Sequence, residues 1–489
     1  MFVLFNSYLF IFIFLPLTFI IYFYLNYKKL TKVSSLFLIF ASLFFYSWWN
    51  ILYLPLILGS ILFNYLISKK LNKFNPKKLL SKKLLLTFGV IANVTLLGYF
   101  KYTDFLIENF NLLMHTEHQL LHLSLPLAIS FFTFQQISYL IDSYHKRTGY
   151  YSFREYTLFV TFFPQLIAGP IVHHQEMIPQ FFKYNSTLKN YKNIALGLFI
   201  FSIGLFKKVI IADTFASWAN QGFDIATTLN LIVAWTVSLS YTFQLYFDFS
   251  GYTDMAIGLA LLFNIQLPIN FNSPYKSTDI QDFWRRWHIT LGRFLRDYIY
   301  IPLGGNQKGL LLTYLNLLIT FIIGGIWHGA GWTFVFWGFL HGMALVIHRI
   351  WQQFGIKLWR WVAWLITFNF INISWIFFRA KEWEDAIKIL KAMFSLENIA
   401  IHPKVAQFFP FLNDYSNIHF SAVFPAIAGD GWTLISIVIT FIILLKTQNS
   451  MEKLKNFKHN YKTLLFTVVI FIISLFSLNK VSDFLYFNF

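Results

Sequence analysis

LLLTYLNLLITFIIGGI (residues 310–326), WHGAG (327–331) and WTFVFWGFLHGMALVI (332–347) follow one another without interruption, and this stretch decides the fold. Each flank is close to the ~20 residues that cross a hydrocarbon core, so His328 stands between two membrane-crossing helices. An ionisable side chain at that depth is costly; it usually lines a cavity and marks the working site. About forty residues upstream lies a dense charged patch: Asp282-Phe283-Trp284-Arg285-Arg286-Trp287-His288, then Arg293, Arg296 and Asp297. A buried histidine near a second, arginine-flanked histidine suggests a membrane enzyme doing proton chemistry in a buried channel.

The chain of 489 residues is 57% hydrophobic and 12% charged, too apolar for a soluble protein of this length. It reads as all-α and polytopic, one membrane domain over residues 1–489. Expected spans are 8–25, 33–49, 51–68, 84–100, 122–141, 193–212, 229–247, 310–327, 332–350, 360–378, 432–446 and 462–478, some of them tilted or re-entrant. The first, followed by Lys28-Lys29 and lacking a small-residue cleavage site, reads as a retained span. With no cysteine, disulfides, thiolate nucleophiles and zinc–thiolate sites are excluded. The net charge of +18 sits in short loops between apolar segments, so it reports orientation rather than nucleic-acid binding.

Lys28, Lys29 and Lys32, the lysines from Lys69 to Lys83, and Lys146-Arg147 mark cytoplasmic loops; Lys446 to Lys462 mark another. Both termini are then extracytoplasmic. Phe162 to Pro170, broken by two prolines and a glycine, needs burial in protein or a wet cavity if it lies at membrane depth. Gln266 to Tyr275 is a polar connector, and residues 379–431 form the longest polar stretch, with an amphipathic piece around Trp383 to Met393.

Asp279 to Tyr300 reads as one helix capped by Asp279, with Asp282 and Arg286 spaced to pair. Arg285, His288, Gly292 and Arg296 then share a face suited to an anionic phosphate, although an interfacial helix meeting lipid headgroups has the same pattern. For His328, a general base that deprotonates a hydroxyl outweighs a histidine that merely bridges helices. Asp248 and Asp254 either line the cavity beside it or mark a helix boundary. His341 and His348 share a face without an acidic partner at metal-binding spacing, and His173-His174 reads as a loop pair. Neither an H-E-x-x-H nor a Walker pattern is present.

Phe163-Pro-Gln-Leu-Ile-Ala-Gly-Pro170, Tyr246-Phe-Asp-Phe-Ser-Gly-Tyr-Thr-Asp254, Asp282 to His288, Tyr300-Ile-Pro-Leu-Gly-Gly305 and Trp327-His-Gly-Ala330 occur in an order that resembles the membrane-bound O-acyltransferases. The likeness is to the bacterial branch that acylates cell-envelope polymers, which includes alginate and peptidoglycan O-acetylation proteins and the teichoic acid D-alanylation protein. It covers roughly residues 130–380. It implies about 11–12 helices, with re-entrant and interfacial pieces, around a central tunnel. It also implies His328 as the catalytic histidine, His288 as the second, cytoplasmic-side histidine, and Arg285, Arg286, Arg293 and Arg296 near the donor. Trp327, Asp248 and Asp254 would line the cavity.

The implied donor substrate is acetyl-CoA or another acyl thioester on the cytoplasmic side, with no tightly bound cofactor or metal. Residues 432–489 end in Phe484-Leu-Tyr486-Phe-Asn-Phe489, similar to an F-x-Y-x-x-F motif of envelope acylation systems. There Tyr486 would receive the acyl group; a plain aromatic belt residue is the other reading. The function expected is export of acetyl groups across the inner membrane to an extracytoplasmic polysaccharide, with a periplasmic O-acetyltransferase as partner. D-alanyl transfer from a carrier protein and transport of a proton or small anion are the alternatives; no inverted repeat supports transport.

Overall fold

The computed structural model describes residues 4–73, 79–167, 169–397, 399–478 and Leu485. Helices dominate. Among the described residues, seven are long and apolar enough to cross a membrane: Phe10–Tyr27, Ile51–Lys73, Leu80–Met114, Tyr191–Ile225, Leu310–His328, Trp332–Gln353 and Arg360–Arg379. Three shorter apolar helices, Thr31–Ser47, Gly431–Lys446 and Tyr461–Phe476, accompany them. The chain is therefore a multi-pass α-helical membrane protein, as expected. The chain divides into two compact units, Met1–Phe206 with Ser250–Asn270 and Leu454–Phe489, and Lys207–Phe249 with Phe271–Lys453.

In the first unit, buried amides join the helices where hydrocarbon offers no other partner. Asn64 and Asn93 exchange hydrogen bonds of 3.0 and 2.7 Å, and Gln136 donates to the Ser60 hydroxyl at 2.9 Å. Small residues let two backbones touch. A Cβ on Gly197 would lie 2.7 Å from the Gly258 carbonyl oxygen, and one on Gly258 would lie 2.6 Å from that of Gly197. At the proline break, Phe153–Thr161 ends at Phe162 and a single turn, Phe163–Leu166, follows. The Phe163 amide freed by the break donates to Ser42 Oγ at 3.1 Å, so irregular backbone is tolerated because a neighbouring helix satisfies it.

Several boundaries differ from expectation. The segment assigned to 122–141 forms a helix only at Ile129–Tyr144, after Ala128 in the left-handed region. The span expected at 229–247 continues to Leu262 as one helix, and that expected at 84–100 covers Leu79–Met114. In both, polar residues that look like boundaries in sequence are carried within the helix; Asp248 and Asp254, for example, are buried.

In the second unit, Leu310–His328 and Trp332–Gln353 form a tight hairpin. A Cβ on Gly325 would fall 2.3 Å from the Phe334 carbonyl oxygen, and one on Gly338 2.4 Å from that of Phe321. The polar stretch after Arg379 contains the amphipathic helix Trp383–Phe394 and a small parallel ribbon pairing Ile399–Ile401 with Ile418–Phe420.

Candidate functional site

His328 is the last residue of its helix; Gly329 and Gly331 are extended, and the next helix starts at Trp332. This places a 3%-exposed imidazole at the bend of the hairpin, with aromatic rings around it. Ring centroids lie at 4.8 Å for Trp327, 5.1 Å for Trp337 and 5.0 Å for Phe378, all edge-on. These rings surround the imidazole with apolar surface.

His288 is reached through Trp327, whose ring lies 6.3 Å from it. The expected single helix Asp279–Tyr300 is broken here. Ile280–Arg286 stops at Trp287, His288 takes φ 42°, and a new helix runs Ile289–Leu295. A non-glycine residue in the left-handed region costs about 1–3 kcal/mol and persists where surroundings hold it. Phe249, edge-on at 4.8 Å, and Phe271 hold this one. Burial pushes the His288 imidazole down to about 3, so it is uncharged near neutral pH.

The break removes the shared arginine face. Asp279 caps the first helix through the Asp282 amide, and Arg286 pairs with Asp282 at 2.8 Å, both as expected. Arg285 is exposed, Arg293 half-buried, and Arg296 exposed and paired with Asp297 at 2.7 Å. These four side chains do not form one continuous row, because the left-handed His288 redirects the chain between Arg286 and Arg293.

Asp248 does not stand alone. Lys208 Nζ lies 2.8 Å from Asp248 Oδ1 and 2.7 Å from Asp213 Oδ1, all three side chains being buried. Asp254 belongs to the other unit and is packed where Gly204 leaves room: a Cβ there would lie 2.9 Å from the Asp254 Cβ. Tyr486 lies outside the described residues.

His341 carries more structure than its sequence suggested. It is fully buried; the Trp284 indole N–H donates to its Nδ1 at 3.2 Å, and its Nε2 lies 3.0 Å from Ser374 Oγ. Because an indole can only donate, Nδ1 must be unprotonated. Nε2–H then donates to Ser374, which donates onward to the Ile371 carbonyl at 2.8 Å. A single neutral tautomer is fixed. The signal in the sequence was the i, i+4 pair Trp337–His341, with Gly338 and Gly342 opening one face. His348 sits 3.6 Å from Asp279.

His174 is likewise more than a loop residue: it is buried, and its Nε2 lies 3.2 Å from Asp142 Oδ2. Among the described residues no group of three or more His, Cys, Asp or Glu is arranged to hold a metal ion.

A bent hairpin with an aromatic-enclosed histidine, and a second histidine one tryptophan away, is the arrangement within residues 143–381, the part matched by the membrane-bound O-acyltransferase family. The peptidoglycan O-acetyltransferase of Helicobacter pylori is 55% identical over 449 residues, 85% of each chain. The chain belongs to the membrane-bound O-acyltransferase family. It is an acyltransferase. The probable alginate O-acetylase of Pseudomonas aeruginosa is 40% identical over 399 residues, 80% of this chain and 75% of that one. The teichoic acid D-alanyltransferase of Bacillus subtilis is 25% identical over 286 residues, 55% of this chain and 71% of that one.

Proposed function

We propose that this acyltransferase takes an acetyl group from a thioester donor, acetyl-CoA or a carrier-bound equivalent, at the cytoplasmic face of the inner membrane. It delivers the group to hydroxyls of an extracytoplasmic polysaccharide. The similarity to a peptidoglycan O-acetyltransferase favours peptidoglycan over an alginate-like polymer. The observation that carries the chemistry is the position of His328, an imidazole enclosed by Trp327, Trp337 and Phe378 at the bend of a membrane hairpin.

In this reading His328 removes the proton from the attacking hydroxyl, and neutral His288 orients a reacting group through its ring nitrogens. Arg285, Arg286, Arg293 and Arg296 draw the anionic donor to the surface of the broken helix. Asp248 and Trp327, which belong to the same unit, line the approach. Tyr486, extracytoplasmic if the lysine-rich loops face inward, accepts the acetyl group and passes it to a periplasmic O-acetyltransferase or to the polymer. A phenol of ordinary pKa about 10 needs such a base to attack a thioester.

The test is ester-bound acetate released from the envelope of cells expressing wild type, His328→Ala or Tyr486→Phe at equal membrane levels. Loss in both variants supports the relay. Loss in His328→Ala alone keeps the base and discards the tyrosine. Wild-type ester levels in His328→Ala refute the assignment of the base.

A further inference from the structure

Trp337 is 1% exposed, yet its indole nitrogen has no hydrogen-bond acceptor among the described residues. Four other indoles of the same unit are satisfied, whereas that of Trp375, also buried, likewise has no acceptor among the described residues. Trp235 donates to the Met393 carbonyl, Trp284 to His341, Trp351 to the Ile356 carbonyl and Trp364 to the Tyr275 carbonyl, at 2.9–3.2 Å. A buried donor left unmade is unusual enough in a folded protein to need a reason.

The ring is also held still. Trp375 stacks on it at 5.6 Å and 17°, Phe378 meets it at 5.0 Å, and His341 lies at 4.7 Å with its own tautomer locked by Trp284 and Ser374. Trp284 meets it edge-on at 5.9 Å, and His328 lies edge-on at 5.1 Å. Side chains on a helix lean toward its N-terminus, and the Trp337 ring reaches His328, the last residue of the preceding helix.

We propose that the Trp337 indole N–H is a catalytic hydrogen-bond donor to the carbonyl oxygen of the acyl thioester. The proposal rests on the reading of His328 as base. In the transfer step the acceptor oxygen bonds to the thioester carbon while its proton passes to His328. The carbonyl electron pair moves onto oxygen, and the resulting oxyanion accepts the Trp337 N–H. When the carbonyl re-forms, the carbon–sulfur bond breaks and the thiolate leaves with the proton held by the imidazolium. Trp337 keeps its own proton throughout. A donor fixed beforehand, among apolar rings, stabilises the developing charge without reorganisation. An N–H pointed at a neighbouring ring face is the purely structural alternative.

The test replaces Trp337 site-specifically with 3-benzothienylalanine, which keeps the shape of indole but has sulfur in place of N–H. Trp337→Phe serves as a second variant. Full-length proteins are compared at equal membrane levels for the rate of envelope acetate-ester formation. Purified proteins are compared for the carbonyl stretch of a carbon-13-labelled ketone analogue of acetyl-CoA. The benzothienyl protein should form esters about 100-fold more slowly, and the bound carbonyl should absorb at higher frequency than in wild type. A rate within twofold of wild type, or an unshifted carbonyl, overturns the donor role while leaving His328 untouched. Undiminished ester formation in His328→Ala overturns the assignment of the base, an analogue that wild type does not bind overturns acetyl-CoA as the donor, and either result overturns the Trp337 proposal with it.

Discussion

Lys208→Met isolates what the buried ion cluster does. One ammonium neutralises two carboxylates, at 2.7 Å from Asp213 and 2.8 Å from Asp248, and none of the three side chains is more than 5% exposed. Methionine fills the same volume but leaves two buried carboxylates facing each other. Removing one partner of a buried pair costs about 3–5 kcal/mol, because the charge left behind has lost both water and counter-ion. For a cooperative unit of roughly 200 residues, each kcal/mol moves the melting point by about 2–4 °C, so a fall on the order of 6–20 °C follows. The assay is thermal unfolding of the purified protein in detergent. The triple change Lys208→Met with Asp213→Asn and Asp248→Asn should recover most of the loss, since uncharged groups of similar size remove the uncompensated charge. A Lys208→Met protein melting within about 2 °C of wild type would refute the reasoning, because it would mean the carboxylates are solvated or protonated in the native state.

Gly338→Val should abolish acetyl-ester formation and sharply reduce membrane levels, since a Cβ there would lie 2.4 Å from the Phe321 carbonyl oxygen and the hairpin that carries His328 could not close. Immunoblotting of membranes checks it, with normal levels as the contrary result. His341→Phe should keep the ring packing but leave the Trp284 donor unmet, costing about 1–3 kcal/mol by denaturation and slowing ester formation as the Trp337 ring loosens. His288, held down to about 3 when folded against about 6.5 unfolded, binds fewer protons in the native state. Stability therefore falls as pH drops from about 6.5 toward 3, by about 1.4 kcal/mol per unit from this group. Melting points at pH 7 and 5 should differ less in His288→Gln than in wild type, and an equal difference would count against a buried neutral His288.

What the sequence made legible follows from where the energy lies. Apolar length alone marks Leu310–His328 and Trp332–Gln353 as crossing helices, because lipid imposes one requirement on every residue of a span. Charge spacing found the Asp282–Arg286 pair for a similarly local reason: i, i+4 geometry belongs to the helix itself. It failed two residues later. The left-handed turn at His288 is held by Phe249 and Phe271, which are far from it in sequence, so helical periodicity had nothing to report there.

The same division explains the site. His328 was visible because a histidine among apolar residues is anomalous on its face. His341 and Trp337 were not, since a histidine and a tryptophan one turn apart on a membrane helix read as packing. Their significance lies in partners: a Trp284 indole that forces one tautomer on His341, and a Trp337 indole that no acceptor among the described residues satisfies. Hydrogen-bond accounting, residue by residue, separates the two tryptophans, and only the folded chain supplies it. The two tryptophans therefore differ in kind. Trp284 spends its donor on holding the frame, while Trp337 keeps its donor beside the base, where a developing oxyanion would be the group that needs it.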